Sequence, residues 1–396
     1  MSTLKKKSER RSFKIGEELT LTIQGLGSHG EGLGRVGEEE IFVPKAAPQD
    51  QLRVKILEEK KGRWRADIVE ILQSSPQRET PKCKHFVTCG GCDFQHLSYE
   101  EQLAWKIRMT KHWIRRSPLE PHLTKIQFDS IAAPQPFGYR HRIRMQVAEG
   151  KLHYFLPHSH KMFAVEECPI LEDGFFKLLG VEAAQIQNAK DWSQSFSENR
   201  LVDLRNPGRY DVAGLKLEYD AQCFTQGNLS MNELLVERVL TDRNLLSNPG
   251  ASSALDLFCG IGNFSLPLAK NLRSVVGVED FEASLHWARK NSESLSIKNV
   301  EWIHAKSEAA LQNLRKQRRC FDWVILDPPR TGALEVAREL NSLLPSRITY
   351  VSCSLETLIR DLTALCKKGP YRISRWTVVD LFPQTHHIES VVSLQL

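Results

Sequence analysis

Hydrophobic and polar residues alternate at the start of the chain in a pattern typical of short strands. Within residues 13–75, Leu19, Leu21 and Ile23 alternate with polar residues, and glycines separate this run from the apolar runs that follow. Regularly spaced short strands with glycine turns predict a small antiparallel β-barrel. The Ser-Ser-Pro stretch at 74–76 ends the pattern and is interpreted as a linker.

Residues 76–222 give a mixed pattern, which we assign to a central α+β domain. Tyr99 to Ile114 is predicted to be a helix, with three large apolar residues sharing roughly one face: Leu103, Ile107 and Trp113. Two short strands are predicted on either side of the turn Glu149-Gly150, at 143–147 and 152–155. The pattern at 170–220 predicts no individual element.

Residues 223–396 alternate short apolar strands with helical segments. Strands are predicted at 254–258, 274–278, 323–326, 348–351 and 390–394. One helix is predicted to start at Phe264, and a second helix, after the strand at 274–278, is predicted to run through Trp287. This alternation predicts a parallel, doubly wound sheet. The expected fold class is therefore multidomain: an N-terminal OB-like barrel, a central α+β domain and a C-terminal α/β Rossmann-like domain.

Composition and charge narrow the function classes. The chain has 396 residues, of which 41% are hydrophobic, and no apolar run approaches the roughly 20 residues that a membrane span needs. The basic arm from Lys5 to Arg11 precedes no apolar stretch, so a secretory signal is not expected and the location is predicted to be cytoplasmic. The arm and a second cluster, Arg140, His141, Arg142 and Arg144, suit a polyanion such as RNA, or alternatively form a solvated tail and an ordinary strand face.

Three of the nine cysteines, Cys83, Cys89 and Cys92, are closely spaced around Gly90-Gly91, and Cys168 is followed by Pro169. Three thiolates with glycines between them can converge on one centre, and a distant Cys-Pro as fourth ligand is typical of iron–sulfur proteins. We therefore predict a structural or RNA-proximal [4Fe-4S] cluster, with tetrathiolate zinc as the alternative. The cysteines at 223, 259, 320 and 366 are expected to be buried structural residues.

A candidate cofactor site begins where the strand at 254–258 ends. Gly260 and Gly262 allow the backbone to approach a ligand, but the third glycine of the dinucleotide fingerprint is missing. Glu279 ends the next strand, where a carboxylate can accept hydrogen bonds from both ribose hydroxyls, or alternatively is a solvated charge or helix cap. Asp327-Pro-Pro-Arg330 ends a third strand, and Arg330 stands where amino-group methyltransferases carry an aromatic residue.

A candidate nucleophile, Cys353, closes the strand at 348–351 and is expected at the same edge. Carbon 5 of uracil becomes nucleophilic when a thiolate adds to carbon 6, and a base must later remove the carbon 5 proton. Glu389, directly before the last predicted strand, is the favoured general base. His386 and His387 remain alternatives for that role.

With these motifs assembled, the chain resembles the bacterial 23S ribosomal RNA (uracil-5)-methyltransferase family over residues 13–396. Gly30-x-Gly-x-Gly and Phe42-Val-Pro resemble landmarks of a TRAM RNA-binding domain, and Pro81-x-Cys-x5-Cys-Gly-Gly-Cys resembles the family's iron–sulfur segment. The resemblance implies Cys353 as nucleophile and Glu389 as base. It implies S-adenosylmethionine binding by Gln226, Phe258, Asn263, Glu279 and Asp327, and a [4Fe-4S] cluster on Cys83, Cys89, Cys92 and Cys168.

Two positions depart from the family pattern and put substrate positioning in doubt. Ser354 stands where the family has Asn, and Gly227 stands where it has a β-branched residue. The resemblance implies a monomer that acts in the cytoplasm on 23S ribosomal RNA before subunit assembly is complete. The alternatives are a transfer-RNA uridine-5-methyltransferase, an RNA cytosine-5-methyltransferase and a non-catalytic RNA-binding protein. The cytosine enzymes carry Pro-Cys where this chain has Asp327-Pro-Pro-Arg330.

Overall fold

The computed structural model describes residues 12–123, 126–157, 159–186, 188–367 and 369–396. The chain divides into two compact units, and the basic arm at 5–11 lies outside the described residues. Unit 1 comprises Met1–Trp105, Phe155–Met162 and Gln384–His386. Unit 2 comprises Lys106–Tyr154, Phe163–Pro383 and His387–Leu396. None of the described helices is both long and apolar enough to cross a membrane.

Unit 1 contains a closed five-stranded barrel, which confirms the prediction from the first part of the sequence. Its strands are β1 (Glu18–Leu26), β2 (Gly32–Val36), β3 (Glu39–Val43), β4 (Gln51–Lys60) and β5 (Arg63–Gln73). Their order is β1-β2-β3-β5-β4, with only the β3–β5 pair parallel among these strands. The alternating residues Leu21 and Ile23 point into the core. Gly34 is required there because a Cβ atom would lie 2.6 Å from the Leu21 side chain.

Helix α1 (Tyr99–Arg115) forms as predicted, but its buried face is different. The three apolar residues expected on that face are only partly buried: Leu103, Ile107 and Trp113. Lys106 and Thr110 are fully buried instead, and the Lys106 ammonium donates to Asp380 at 2.6 Å and to the Phe382 carbonyl at 3.0 Å. A buried lysine requires such partners, and hydrophobic periodicity cannot identify them.

The chain after α1 forms two small sheets, whose residues belong to unit 2 except for Phe155 and Met162. The strand β6 (Gln127–Ile131) comes first and joins the larger sheet described below. The strands of the two small sheets, with one helix between them, are β7 (Arg142–Ala148), β8 (Lys151–Phe155), β9 (Met162–Ala164), α2 (Phe175–Ile186), β10 (Ala189–Ser197), β11 (Arg200–Leu201), β12 (Gly208–Val212) and β13 (Leu215–Tyr219). The predicted hairpin is confirmed as β7–β8, and its turn residues Glu149 and Gly150 both have positive φ angles, 50° and 69°. The five-stranded sheet has the order β11-β10-β7-β8-β9, and β12 pairs with β13.

The remaining elements of unit 2 form a larger α/β layer. They are α3 (Leu229–Leu240), β14 (Ser253–Leu257), α4 (Ser265–Ala269), β15 (Ser274–Glu279), α5 (Glu282–Ser294), β16 (Val300–His304), α6 (Ser307–Lys316), β17 (Trp323–Leu326), α7 (Leu334–Leu343), β18 (Arg347–Ser352), α8 (Leu355–Lys367), β19 (Arg372–Val379) and β20 (Glu389–Gln395). Short 3-10 helices lie at Glu120–His122, Thr241–Leu245 and Pro249–Ala251.

The eight-stranded sheet has the order β16-β15-β14-β17-β18-β20-β19-β6. Its first five strands are parallel, as predicted, but β20 runs antiparallel to both of its neighbours, and β6 joins the far edge parallel to β19. The expectation of a wholly parallel sheet is therefore wrong at this side. The domain boundaries at 76 and 223 stay predictions, and the sheets on either side of residue 223 belong to the same unit.

Candidate active site at the carboxyl edge of the sheet

The reversed direction of β20 determines which residues meet at the sheet edge. Ser352, the last residue of β18, pairs with Ser390, so the same register continued by one residue places Glu389 opposite Cys353. Both residues therefore lie at the edge where β14, β15 and β17 present their carboxyl ends. In open α/β sheets this edge forms the ligand crevice.

The glycine turn after β14 has the backbone geometry expected of a ligand loop. Phe258, Gly260 and Gly262 have φ angles of 66°, 56° and 92°. A Cβ atom on Gly260 would meet no other heavy atom within 4 Å, whereas one on Gly262 would lie 2.9 Å from the Leu266 side chain. Gly262 is thus needed for packing against α4, and Gly260 leaves open space at the edge.

Glu279 closes this turn from the neighbouring strand. One carboxylate oxygen accepts from the Gly260 N–H at 2.9 Å, and the other accepts from Phe281 N–H at 2.9 Å and Asp280 N–H at 3.1 Å. Burial raises the pKa of Glu279 more than the hydrogen bonds from Phe281 and Gly260 lower it. The side chain is therefore a fixed acceptor and not a solvated surface charge.

Two further carboxyl groups lie at this edge. Burial raises the pKa of Asp327 to about 7, and the Gln226 amide nitrogen lies 3.5 Å from its Oδ2. Burial also raises the pKa of Asp256 to about 7, although the Ser265 hydroxyl donates to it, and its second oxygen has no hydrogen-bond partner among the described residues. A ligand that carries positive charge would favour the ionised form of these acids.

Asn263 is held by residues that the sequence did not identify. Its amide exchanges two hydrogen bonds of 2.9 Å with the Asn232 amide, and its oxygen also accepts from the Tyr210 hydroxyl at 2.9 Å. These contacts fix the orientation of the Asn263 side chain. The sequence signal for this arrangement is the polar Asn232 among the apolar residues Met231, Leu235, Val236 and Val239 of the buried face of α3.

A cleft of about 200 Å³ adjoins the turn after β14. It is lined by residues from the turn and from the ends of the neighbouring strands: Phe258, Asp280, Lys306, Ser307, Glu308, Pro329, Thr331 and Gly332. Phe258 connects this cleft to the cofactor-binding set predicted from the sequence.

Cys353 is partly buried among charged groups. Burial, together with the negative charges of Glu389 and Asp327, raises the pKa of the thiol to about 11, and the Arg330 guanidinium opposes this effect. Burial and the charge of Asp327 raise the pKa of Glu389 well above its usual range, and the Arg330 guanidinium opposes this effect too. The sequence identified Arg330 only as a residue that replaces the aromatic residue of amino-group methyltransferases. The structure shows in addition that its positive charge lies near Cys353 and Glu389.

The two alternative bases have different surroundings. The His387 ring lies 3.5 Å from the Arg330 guanidinium, whereas the His386 ring pairs with the Asp93 carboxylate at 2.7 Å. One of the two positions that depart from the family pattern has a local explanation, since a Cβ on Gly227 would lie 3.2 Å from the Phe382 ring. Ser354 directly precedes α8 and its carbonyl accepts from the Leu358 N–H, and nothing in the structure explains serine at this position.

The predicted cluster cysteines are divided between the two units. Cys83, Cys89 and Cys92 belong to unit 1, and Cys168 belongs to unit 2. Across the described ranges, no group of three or more His, Cys, Asp and Glu side chains is arranged to hold a metal ion. Of the four cysteines expected to be structural, three are buried, and Cys320 is exposed, so that expectation is wrong for Cys320.

Only part of the predicted basic cluster is available to a polyanion. His141 is fully buried, where burial lowers its pKa to about 3, and its ring nitrogen lies 3.1 Å from the Thr225 hydroxyl. Arg142 donates to the Cys223 carbonyl, and the exposed Arg144 pairs with Asp191 at 3.1 Å. Half of this cluster is therefore structural.

Comparisons with known proteins agree with this architecture. A family model described as tRNA (uracil-5-)-methyltransferase matches residues 207–396, and a TRAM domain model matches residues 12–69. The chain is 32% identical to the 23S rRNA (uracil(1939)-C(5))-methyltransferase RlmD of Salmonella paratyphi A, over 97% of this chain and 98% of that protein.

A solved structure supports the same fold over almost the whole length. The Pyrococcus abyssi tRNA (uracil-54, C5)-methyltransferase, determined with S-adenosyl-L-homocysteine, is similar with a TM-score of 0.72 at 23% identity, covering 95% of this chain and 99% of that chain. The resemblance inferred from the motifs is thereby confirmed, and the chain belongs to the RNA (uracil-5-)-methyltransferase family.

Proposed function

We propose that this protein transfers a methyl group from S-adenosylmethionine to carbon 5 of a uridine in RNA, with 23S ribosomal RNA as the target. The observation that carries the proposal is the proximity of Cys353 and Glu389 at adjacent strand ends, beside Glu279 and Asp327 at the same sheet edge. The named activity of the Salmonella relative supports 23S RNA. Transfer RNA is the alternative target, supported by the description of the family model.

The residues at the edge suit S-adenosylmethionine, which supplies a methyl group on a positively charged sulfur. Glu279 would accept from the ribose hydroxyls, and the open space at Gly260 admits the ligand against the backbone. Asp327 would lie near the positive charge of the cofactor. Gln226, Phe258 and Asn263 complete the set of residues proposed to bind the cofactor.

Cys353 is proposed to act as the nucleophile on carbon 6 of the uracil ring. Its thiol is protonated in the free protein at neutral pH, because its pKa lies near 11. Protonation of Glu389 and Asp327 removes negative charge beside the sulfur, and Arg330 favours the thiolate. Addition of the thiolate to carbon 6 forms a C–S bond and delocalises the electron pair into an enolate, so that carbon 5 becomes nucleophilic.

Glu389 is proposed to remove the carbon 5 proton after methyl transfer. The electrons of that C–H bond then reform the ring double bond while the C–S bond breaks and regenerates the Cys353 thiolate. The net products are the methylated base, S-adenosylhomocysteine and one proton. A carboxyl group with a raised pKa is a stronger base once ionised, which suits this step.

Replacing Arg330 should slow the chemistry of Cys353 before any RNA is bound. Without the guanidinium, the pKa of the Cys353 thiol rises further, so Arg330→Gln should lower the rate of Cys353 alkylation by iodoacetamide several-fold at pH 8. Arg330→Lys should retain most of the rate. Peptide-resolved mass spectrometry separates Cys353 from the other cysteines, and Arg338→Gln, at an exposed arginine on α7, is the matched control. Equal rates in Arg330→Gln and wild type would assign Arg330 no role at the thiol.

Cofactor affinity should depend on pH through Asp327. Because its pKa is about 7 in the free protein, Asp327 is increasingly protonated as pH falls below 7 and then no longer attracts a cation. S-adenosylmethionine affinity should therefore fall from pH 8 to pH 6, by up to about tenfold per pH unit for one linked proton. Titration calorimetry should show a weaker dependence for S-adenosylhomocysteine, which lacks the sulfonium charge, and for Asp327→Asn. Parallel pH profiles for both ligands would contradict this role.

We further propose that Cys83, Cys89, Cys92 and Cys168 hold a [4Fe-4S] cluster. Two observations on the segment that carries the first three cysteines support the fit. The Lys45 ammonium donates to the carbonyls of Phe86, Val87 and Cys89, and the Gly91 N–H donates to the Cys89 sulfur at 3.3 Å. Amide donors to thiolate sulfur are a common feature of iron–sulfur sites.

Absorbance, iron and sulfide assays of the purified protein test this cluster. Broad visible absorbance that bleaches on reduction, with about four irons and four sulfides per chain, is expected. Zinc in a colourless protein would overturn the iron assignment in favour of the tetrathiolate alternative.

The proposed partner is RNA, bound before ribosomal subunit assembly is complete by a monomer in the cytoplasm. The TRAM match at residues 12–69 supports RNA binding. Mass mapping of ribosomal and transfer RNA from cells lacking the protein tests the target. One 5-methyluridine should be missing from the 23S RNA of these cells. Expression of the wild-type protein should restore it, and expression of Cys353→Ala should not. Loss confined to transfer RNA would favour the alternative target, and unchanged methylation in both would favour a non-catalytic RNA-binding protein.

A further inference from the structure

We propose that the first two turns of α8 hold the loop that carries Arg330, which makes Thr357 and Arg360 positioning residues for Cys353. The inference rests on the proposed function, in which Cys353 is the nucleophile. The loop comprises residues 327–333 and connects β17 to α7. The loop, the helix and the cysteine all belong to unit 2, so their arrangement lies within one compact unit.

Helix α8 begins two residues after the cysteine. Cys353 and Ser354 connect the end of β18 at Ser352 to the first helical residue, Leu355. The Ser354 carbonyl accepts from the Leu358 N–H at 3.0 Å, which closes the first turn of the helix on the residue next to Cys353. Groups that bind to the first two turns of α8 are therefore held in a defined position relative to the thiol.

The Thr357 hydroxyl connects the loop to this turn. It donates to the Arg330 carbonyl at 3.1 Å, and it lies 3.4 Å from the Ser354 carbonyl, a longer and weaker contact. The bond to Arg330 fixes the backbone at the residue whose guanidinium acts on the thiol. Arg330 is exposed, and an exposed arginine has many rotamers, so fixing its backbone limits the positions that its guanidinium can reach.

Arg360 and Asp361 hold the rest of the loop. The Arg360 guanidinium donates to the Thr331 carbonyl at 2.9 Å. The Asp361 carboxylate accepts from the Ala333 N–H at 2.7 Å. Asp361 is fully buried and also accepts from the Tyr350 hydroxyl at 2.7 Å and from Arg360 Nε at 2.7 Å. Three donors fix this buried carboxylate, so the loop is bonded to a group that cannot easily move.

Gly332 lets the loop lie directly against α8. Its φ angle is 71°, in the left-handed region that glycine adopts without strain. A Cβ atom there would lie 2.6 Å from both the Arg360 guanidinium and the Asp361 carboxylate. The loop and the helix are thus packed with no room for a side chain at this position, which restricts the loop further.

The loop places one positive charge near two acidic groups at the thiol. Glu389 and Asp327, when ionised, disfavour the Cys353 thiolate, whereas the Arg330 guanidinium favours it. Coulombic attraction weakens with distance, so a loop that relaxes away from α8 should reduce the thiolate fraction. The two α8 side chains act on the thiol through the loop backbone, so they are positioning residues and not catalytic ones.

Thr357→Val removes the hydroxyl and keeps the shape of the side chain. The pH profile of Cys353 alkylation by iodoacetamide, followed by peptide-resolved mass spectrometry, should shift to higher pH, with a rate about two- to fivefold lower at pH 8. Arg360→Gln should act in the same direction. Thr357→Ser, which keeps the hydroxyl, should recover most of the wild-type rate.

Thr363→Val is the matched control on the same helix. Thr363 is also partly buried, but its hydroxyl donates to the Ile359 carbonyl within α8 at 2.6 Å. Its replacement should leave the alkylation profile unchanged. A lower melting temperature in Thr357→Val, combined with an alkylation profile like that of Thr363→Val, would give Thr357 a structural role alone and overturn the proposal.

A double-mutant cycle with Arg330→Gln shows whether the effect passes through the guanidinium. Without that charge, Thr357→Val should change the alkylation rate by less than about 1.5-fold, because two residues that act through one group are not additive. An equal loss in both backgrounds would contradict the proposal. Alkylation requires neither RNA nor cofactor, so the proposed function fails separately: wild-type protein with the expected alkylation pattern that methylates no RNA would overturn that function alone.

Discussion

Cys353→Ala is expected to abolish methyl transfer and to leave S-adenosylmethionine binding largely intact. The cysteine supplies the electron pair that makes carbon 5 nucleophilic, so its loss should lower turnover by about 10⁴-fold or more, as expected for a nucleophile that no neighbour replaces. The groups proposed to bind the cofactor lie at the ends of other strands, with Glu279 the last residue of β15 and Asp327 directly after β17. Methylation is measured with labelled cofactor, and binding is measured by calorimetry on the same preparation.

Cys320→Ala is the control for this experiment. Cys320 is exposed, so its replacement should change neither turnover nor binding. Cys353→Ser, which keeps a hydroxyl of similar size, should be nearly as inactive as Cys353→Ala because an alcohol is a far weaker nucleophile than a thiolate. Substantial turnover in either Cys353 variant would exclude the covalent route.

Glu389→Gln is expected to accumulate a covalent complex between the protein and RNA. Glu389 is 4% exposed, and glutamine has the same shape, so the substitution should preserve the packing of β20 while removing the base. Addition to carbon 6 and methyl transfer can still proceed, but loss of the carbon 5 proton should slow by about 10²- to 10⁴-fold. A heat-stable shift on a denaturing gel, with methyl label in the shifted band, measures this.

Glu279→Gln is the control that distinguishes loss of the general base from a general disruption of the carboxyl edge of the sheet. That variant should weaken cofactor binding, because the Gly260 and Phe281 N–H groups and the ribose then lack a charged acceptor, and no labelled adduct should accumulate. If Glu389→Gln methylates RNA without an adduct, the base role passes to a histidine. His387→Ala is then the next variant, since its ring lies beside Arg330.

Local sequence patterns predicted the features that depend on local geometry. Alternation around Leu21 and Ile23 predicted the barrel, and short apolar runs ending in Glu279, Asp327 and Cys353 predicted three functional side chains at one sheet edge. Strand ends are accessible to prediction because a parallel sheet brings its carboxyl ends together irrespective of the intervening helices.

Features that depend on tertiary pairing were missed. The antiparallel insertion of β20 beside β18, which places Glu389 opposite Cys353, has no signature in the strand itself. Lys106 on the buried face of α1 contradicts hydrophobic periodicity until its partner Asp380, far along the chain, is known. The role of Arg330 could not be predicted for the same reason. Its position in the motif does not show that its guanidinium lies near Cys353 and Glu389.

The most direct test of covalent uridine methylation uses an RNA transcript in which 5-fluorouridine replaces uridine. Fluorine at carbon 5 cannot leave as a cation, so a ring that has received the methyl group cannot eliminate the cysteine. The wild-type protein should form a heat-stable adduct only with S-adenosylmethionine present, and peptide mapping should find methylated fluorouridine on Cys353. Absence of this adduct from a preparation that methylates unsubstituted RNA, or its attachment to another cysteine, would contradict the account.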